Sequence, residues 1–147
     1  MRCLIDSGVL LRLLKRDDPL FAVCRDTVVD LLRNGDELFT SVQNIAEFTN
    51  VWTRPASARG GFGFPTEHAL KRIDFIQSYG TLLTESLRSY TEWRRLVEEH
   101  SISGVSVHDA RIVSVMVTHR ISHIVTLNAS DFKRYEGILA IDPSSNQ

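Results

Sequence analysis

The sequence predicts an α/β fold, a parallel sheet of four to five strands covered on both faces by helices. Three observations predict it. Short apolar runs alternate along the chain with longer amphipathic stretches. The first run, Cys3-Leu4-Ile5, is brief and unbroken, as a buried strand is. The 147 residues are 43% hydrophobic, enough for one core, and they show no internal repeat and no linker.

Taken in order, residues 2–5 form the first strand and residues 9–14 a short helix. Asp18-Pro19 marks the next helix start, a capping acid followed by a first-turn proline. That helix runs to about Arg33, where Asn34-Gly35 supplies the stop. Residues 37–40 are the second strand. In SVQNIAEFTNVWTRP, Ile45, Phe48, Thr49 and Trp52 fall at i, i+3, i+4 and i+7, a helical stripe that Pro55 ends. The glycines of residues 56–65 mark a flexible loop. It follows a helix end and lacks the Lys-Ser/Thr of a phosphate-binding loop. Helices follow at 66–78, 87–100 and 106–120, and strands at 81–84, 123–127 and 138–141. Residues 1–143 are expected as one domain and residues 144–147 as a polar tail.

Net charge is −1, from 17 Lys+Arg against 18 Asp+Glu, so nucleic-acid binding would need a local patch. Cys3 and Cys24 form no metal-ligand pattern and are expected as reduced thiols of a cytoplasmic protein. No apolar run approaches the roughly 18 residues of a membrane helix. Asp6, Arg12, Lys15 and Arg16 interrupt the first apolar segment, which makes a poor signal peptide.

Four acids carry the functional reading. Asp6 follows a strand, so it either caps the next helix or lies at the carboxyl edge of a parallel sheet, where ligands bind. Glu47 is the only charged residue from Ser41 to Thr53, and its uncharged face hints at a cleft rather than open water. Asp109 shares a side with Val113 and Met116, where a carboxylate is costly unless paired. Ser106 and Asp109 also have the spacing of a capping box. Asp131 sits in TLNASDF after a strand, three residues beyond Asn128, a neutral oxygen donor. Gathered carboxylates repel unless cations intervene. An oxygen-rich site suits Mg²⁺ or Mn²⁺, and two such ions about 4 Å apart suit in-line phosphodiester hydrolysis.

With those residues in hand, the chain resembles the PIN domain family, and within it the VapC-type ribonuclease toxins and their stand-alone relatives. Four segments carry the resemblance in order: IDSGVLL, NIAEFTNVWTRP, GVSVHDARIVSVM and IVTLNASDFKRYEGI. It implies a three-layer sandwich and Mg²⁺- or Mn²⁺-dependent cleavage of RNA. It implies a homodimer and, for toxins, a small antitoxin whose tail fills the acidic groove. Asp6, Glu47 and Asp109 match the first three acidic positions, and Asp131, with Asn128 as the neighbouring donor, the fourth. These are the expected catalytic and metal-holding residues. Cleavage would leave a 5′-phosphate and a 3′-hydroxyl. The chain departs from the pattern at Gly8, where Asn is common, and at Asn128, where many members carry an acid.

Arg54 and Arg59 flank the glycine loop and are the candidates for RNA phosphate contacts. His108 reads as structural or as a support behind the acids rather than as a ligand, Ser41 as a cap, and Trp52 and Phe132 as core. Other readings have less support. A haloacid-dehalogenase-type phosphatase would use Asp6 as nucleophile but needs a second acid where Gly8 stands. A receiver domain needs an acid pair beside its first strand. The non-enzymatic alternative is a PIN-like RNA-binding or interaction module whose site has decayed, with Asn128 as the symptom.

Overall fold

The computed structural model describes residues 1–146. Five parallel strands form one sheet in the order β3-β2-β1-β4-β5. The central strand β1 (Arg2–Ile5) pairs with β2 (Glu37–Ser41) and β4 (His123–Val125). The edges are β3 (Thr81–Leu83) and β5 (Leu139–Ile141). Side chains alternate across the strands. Cys3, Ile5, Leu38 and Val125 enter one core with α1 (Ser7–Leu14), α2 (Phe21–Arg33), α3 (Val42–Thr53) and α4 (Thr66–Gln77). Leu4, Phe39 and Ile124 enter a second with α5 (Leu87–Glu99) and α6 (Ser106–Thr118). The result is the expected three-layer sandwich.

The strand order places the site. From β1 the chain steps outward through β2 to β3, then crosses back to β4 on the other side of β1. Where the order reverses, the loops leaving two adjacent strands diverge and open a crevice at their carboxyl ends. The loops after β1 and β4 carry Asp6 and Thr126, and the Asp6 N–H donates to the Val125 carbonyl at 3.0 Å.

Four local expectations are corrected. The first helix begins at Ser7 because Asp6 caps it. Asp18-Pro19 starts no helix. Asp18 Oδ1 accepts from the Leu20 N–H at 2.9 Å and the Asp18 carbonyl from the Phe21 N–H at 3.0 Å, so a turn absorbs both acceptors. The following helix begins at Phe21, with no side-chain cap. The strand predicted for residues 123–127 stops at Val125, where Thr126 turns into the crevice. The glycine loop is pinned, not free. Phe62 and Phe64 lie 5.5 and 4.9 Å from Trp52, and a Cβ at Gly61 would collide with the Arg54 carbonyl. The stop after α2 is as expected, with Gly35 at φ +79°. The predicted tail begins as a 3-10 turn, Pro143–Asn146, and Gln147 lies outside the described residues.

Candidate functional site

Asp6 is 8% exposed, and three donors fix its carboxylate. Oδ1 accepts from the Ser7 N–H at 2.8 Å and the Asn44 amide at 3.3 Å, and Oδ2 from the Thr126 hydroxyl at 2.7 Å. The two readings of Asp6 coexist: it caps α1 and it faces the crevice. Burial raises its pKa, the bonds from Thr126 and Ser7 pull it back, and the Glu47 charge adds to the rise.

Glu47 is half-buried on α3 with both oxygens held. Oε2 accepts from the Ser7 hydroxyl at 2.8 Å and Oε1 from the Gln43 amide at 2.9 Å. The same Gln43 amide donates to the His108 carbonyl at 3.0 Å, so one side chain ties α3 to α6. Asn44 is fully buried and joins Ser41 in a reciprocal cap, which confirms Ser41 as capping α3. Thr126, Asp6, Ser7, Glu47, Gln43 and His108 thus form one bonded chain across the crevice.

Asp109 lies in the first turn of α6. The capping-box expectation is not met there. Val105 is the N-cap, in helical geometry, and makes no side-chain capping bond. Burial, then the charges of Asp131, Asp6 and Glu47, push the Asp109 carboxyl up to about 6, against a smaller opposing effect of His108. The structure therefore makes all four predicted acids electrostatic neighbours. Asp131 is exposed in a 3-10 turn, Ala129–Phe132, which the buried Phe132 anchors. Asn128 is exposed beside it, and its N–H donates to the Thr126 hydroxyl at 3.1 Å.

Among the described residues no Lys or Arg forms an ion pair with any of the four acids. Nor do three or more His, Cys, Asp or Glu side chains converge, as placed, into a group that could hold a metal ion. In kind the donors fit a hard divalent cation: oxygen only, anionic, with Asp6 and Glu47 already oriented.

Arg54 donates from Nη2 to the Arg59 carbonyl at 2.7 Å, organising the loop after α3, and no bond joins either arginine to the acids among the described residues. The cation near Glu47 is Arg111, which pairs with Glu85. It lines a groove of about 420 Å³ with Gln43, Glu47 and His108. Sequence reasoning missed Gln43, Asn44, Thr126 and Arg111 as supports. The signal for the first two was there, in the uncharged stretch around Glu47. A larger apolar groove, about 520 Å³, lies among α1, α2 and α4 and contains none of the acids. At Gly8 a Cβ would meet nothing nearer than an arginine tip at 3.9 Å, so space does not demand glycine there. Both cysteines are free and buried. Among the described residues no helix is long and apolar enough to cross a membrane.

The family model for the PIN domain matches residues 3–138. No curated protein gives a significant match. Solved structures match in fold. VapBC-1 from nontypeable Haemophilus influenzae aligns at TM-score 0.68 and 18% identity, over 99% of this chain and 100% of that one. A toxin–antitoxin complex from Klebsiella pneumoniae aligns at 0.64 and 18%, over 96% and 97%. VapC20 of Mycobacterium tuberculosis, described as a sarcin–ricin loop cleaving toxin, aligns at 0.55 and 14%, over 83% and 86%.

Proposed function

The chain belongs to the PIN domain family, and from that premise we propose that it is a divalent-metal-dependent endoribonuclease and the toxin of a toxin–antitoxin pair. One observation carries the proposal: four carboxylates gather at the carboxyl edge of the sheet with no paired cation among the described residues, and burial, together with the charges of the other three, pushes Asp109 up to about 6. Such a cluster is a cost to the folded chain unless a cation offsets it.

Asp6, Glu47, Asp109 and Asp131 would hold one or two Mg²⁺ or Mn²⁺ ions, with Asn128 as a neutral donor. The cation, when bound, supplies a hydrolytic nucleophile at neutral pH and neutralises charge on the phosphate. The chain's own residues do the positioning. Thr126 and Asn44 fix the plane of the Asp6 carboxylate, and Ser7 with Gln43 fixes that of Glu47. Supports of this kind typically change metal affinity or activity about 10–100-fold when lost. The solved relatives include a toxin–antitoxin complex, which supports a small protein partner. A homodimer and a cytoplasmic setting belong to the same reading, with residues 1–143 as its single catalytic unit.

The test is cleavage of single-stranded RNA by the whole chain. Mg²⁺ or Mn²⁺ should support cutting to 5′-phosphate and 3′-hydroxyl ends, and EDTA should abolish it. The second reading, a PIN-like module that binds RNA without cutting it, draws on the incomplete convergence of the acids. RNA retention with no cleavage under either metal would favour it.

A further inference from the structure

The face of α3 beside Glu47 is not explained by the acids. Val42, Ala46 and Asn50 stand one turn apart and are all exposed, in a stretch where Glu47 is the only charge. An open helix face normally carries several charges. These three residues form one wall of the 420 Å³ groove, and His108 and Arg111 of α6 face them. Gln43, 6% exposed, also lines it, and its amide nitrogen spans from Glu47 to the His108 carbonyl, while its buried Oε1 has no hydrogen-bond partner among the described residues. The groove is thus partly apolar and meets the acidic crevice at Glu47.

We propose that this groove is the subsite for the RNA nucleotide next to the scissile phosphate, its unpaired base lying against Val42 and Ala46. This deepens the ribonuclease reading and rests on it. The volume falls in the range of small-molecule sites, roughly 300–1,000 Å³. Sequence-selective RNA recognition uses splayed bases, stacked on arginine or histidine planes and bonded along their edges. His108 and Arg111 offer such planes, and the exposed Asn50 amide offers a donor and an acceptor to a base edge. Charge points the same way. A polyanion must pass four carboxylates, and Arg111, whose charge is coupled to Glu47, is the cation that lines the groove. Its two-bond tie to Glu85 is partly exposed, and a phosphate oxygen pair can replace that carboxylate in the same fork geometry.

The experiment is cleavage of a randomised single-stranded RNA library with Mn²⁺, with the cut ends sequenced. It compares wild type with Ala46→Phe, which fills the groove from an exposed position, and with Arg111→Gln. Wild type should show a base preference at one position adjoining the cut. Ala46→Phe should flatten it and lower kcat/KM at least about tenfold, with Mn²⁺ affinity and melting temperature unchanged. Arg111→Gln should raise KM and reduce the salt dependence by about one phosphate contact. The same preference and rate in both variants would overturn the subsite. So would intact cleavage combined with weakened binding of a protein partner, which would assign the groove to that partner. Wild type that cuts no RNA at all is a different result: it removes the ribonuclease reading and the subsite with it.

Discussion

Replacing Asp6 by asparagine is expected to lower RNA cleavage by about a thousandfold, roughly 4 kcal/mol of transition-state stabilisation, while the protein melts within about 2 °C of wild type. The two halves of that expectation separate the two roles of the residue. As a cap, asparagine is nearly as good as aspartate. Its Oδ1 keeps the bonds from Ser7 and Asn44, and its amide faces the Thr126 hydroxyl, which can turn to accept. Removing a buried charge also lifts the burial penalty that raises the Asp6 pKa. As a metal-facing group, an amide has lost the anion on which the site depends. Cleavage within tenfold of wild type, measured on the folded variant, would reduce Asp6 to a helix cap.

Trp52→Ala is expected to cost about 3–5 kcal/mol, a large share of the roughly 5–15 kcal/mol that holds such a domain together. Trp52 is 1% exposed. It stacks on Phe48 at 5.0 Å and Phe64 at 4.9 Å, and donates from Nε1 to His68 Nδ1 at 2.9 Å. Through Phe48, the residue after Glu47, this cluster fixes the buried side of α3 and so the direction in which Glu47 points. A fall in melting temperature on the order of 10–15 °C is expected, with cleavage lost in proportion to unfolding. A shift under about 2 °C would show that α3 is held by other contacts.

Much of this was legible because the relevant physics is periodic. The stripe Ile45–Phe48–Trp52 named the buried face of α3, and the short apolar run before Asp6 named the central strand. The parallel sheet followed from alternation, and the place of Asp6 from the carboxyl-end rule. What escaped was set by contacts distant in sequence. Thr126 reaches Asp6 across 120 positions, and Gln43 reaches His108 across 65, and neither pattern leaves a local trace. The close backbone approach of Gly61 to the Arg54 carbonyl, in a segment the sequence marks only as a glycine loop, likewise leaves no periodic trace. Asp18-Pro19 and Ser106–Asp109 matched capping patterns that tertiary geometry did not use.

Manganese uptake by the whole protein, followed by titration calorimetry near pH 6 and near pH 8, tests the central claim most directly. The account predicts binding at both, tighter at the higher pH. Because Asp109 is pushed up to about 6, it is close to half protonated near that pH and must release its proton for the ion to bind. Proton release should therefore be about half a proton or more near pH 6 and much smaller near pH 8. A folded chain that binds single-stranded RNA but takes up no manganese at either pH would contradict the account.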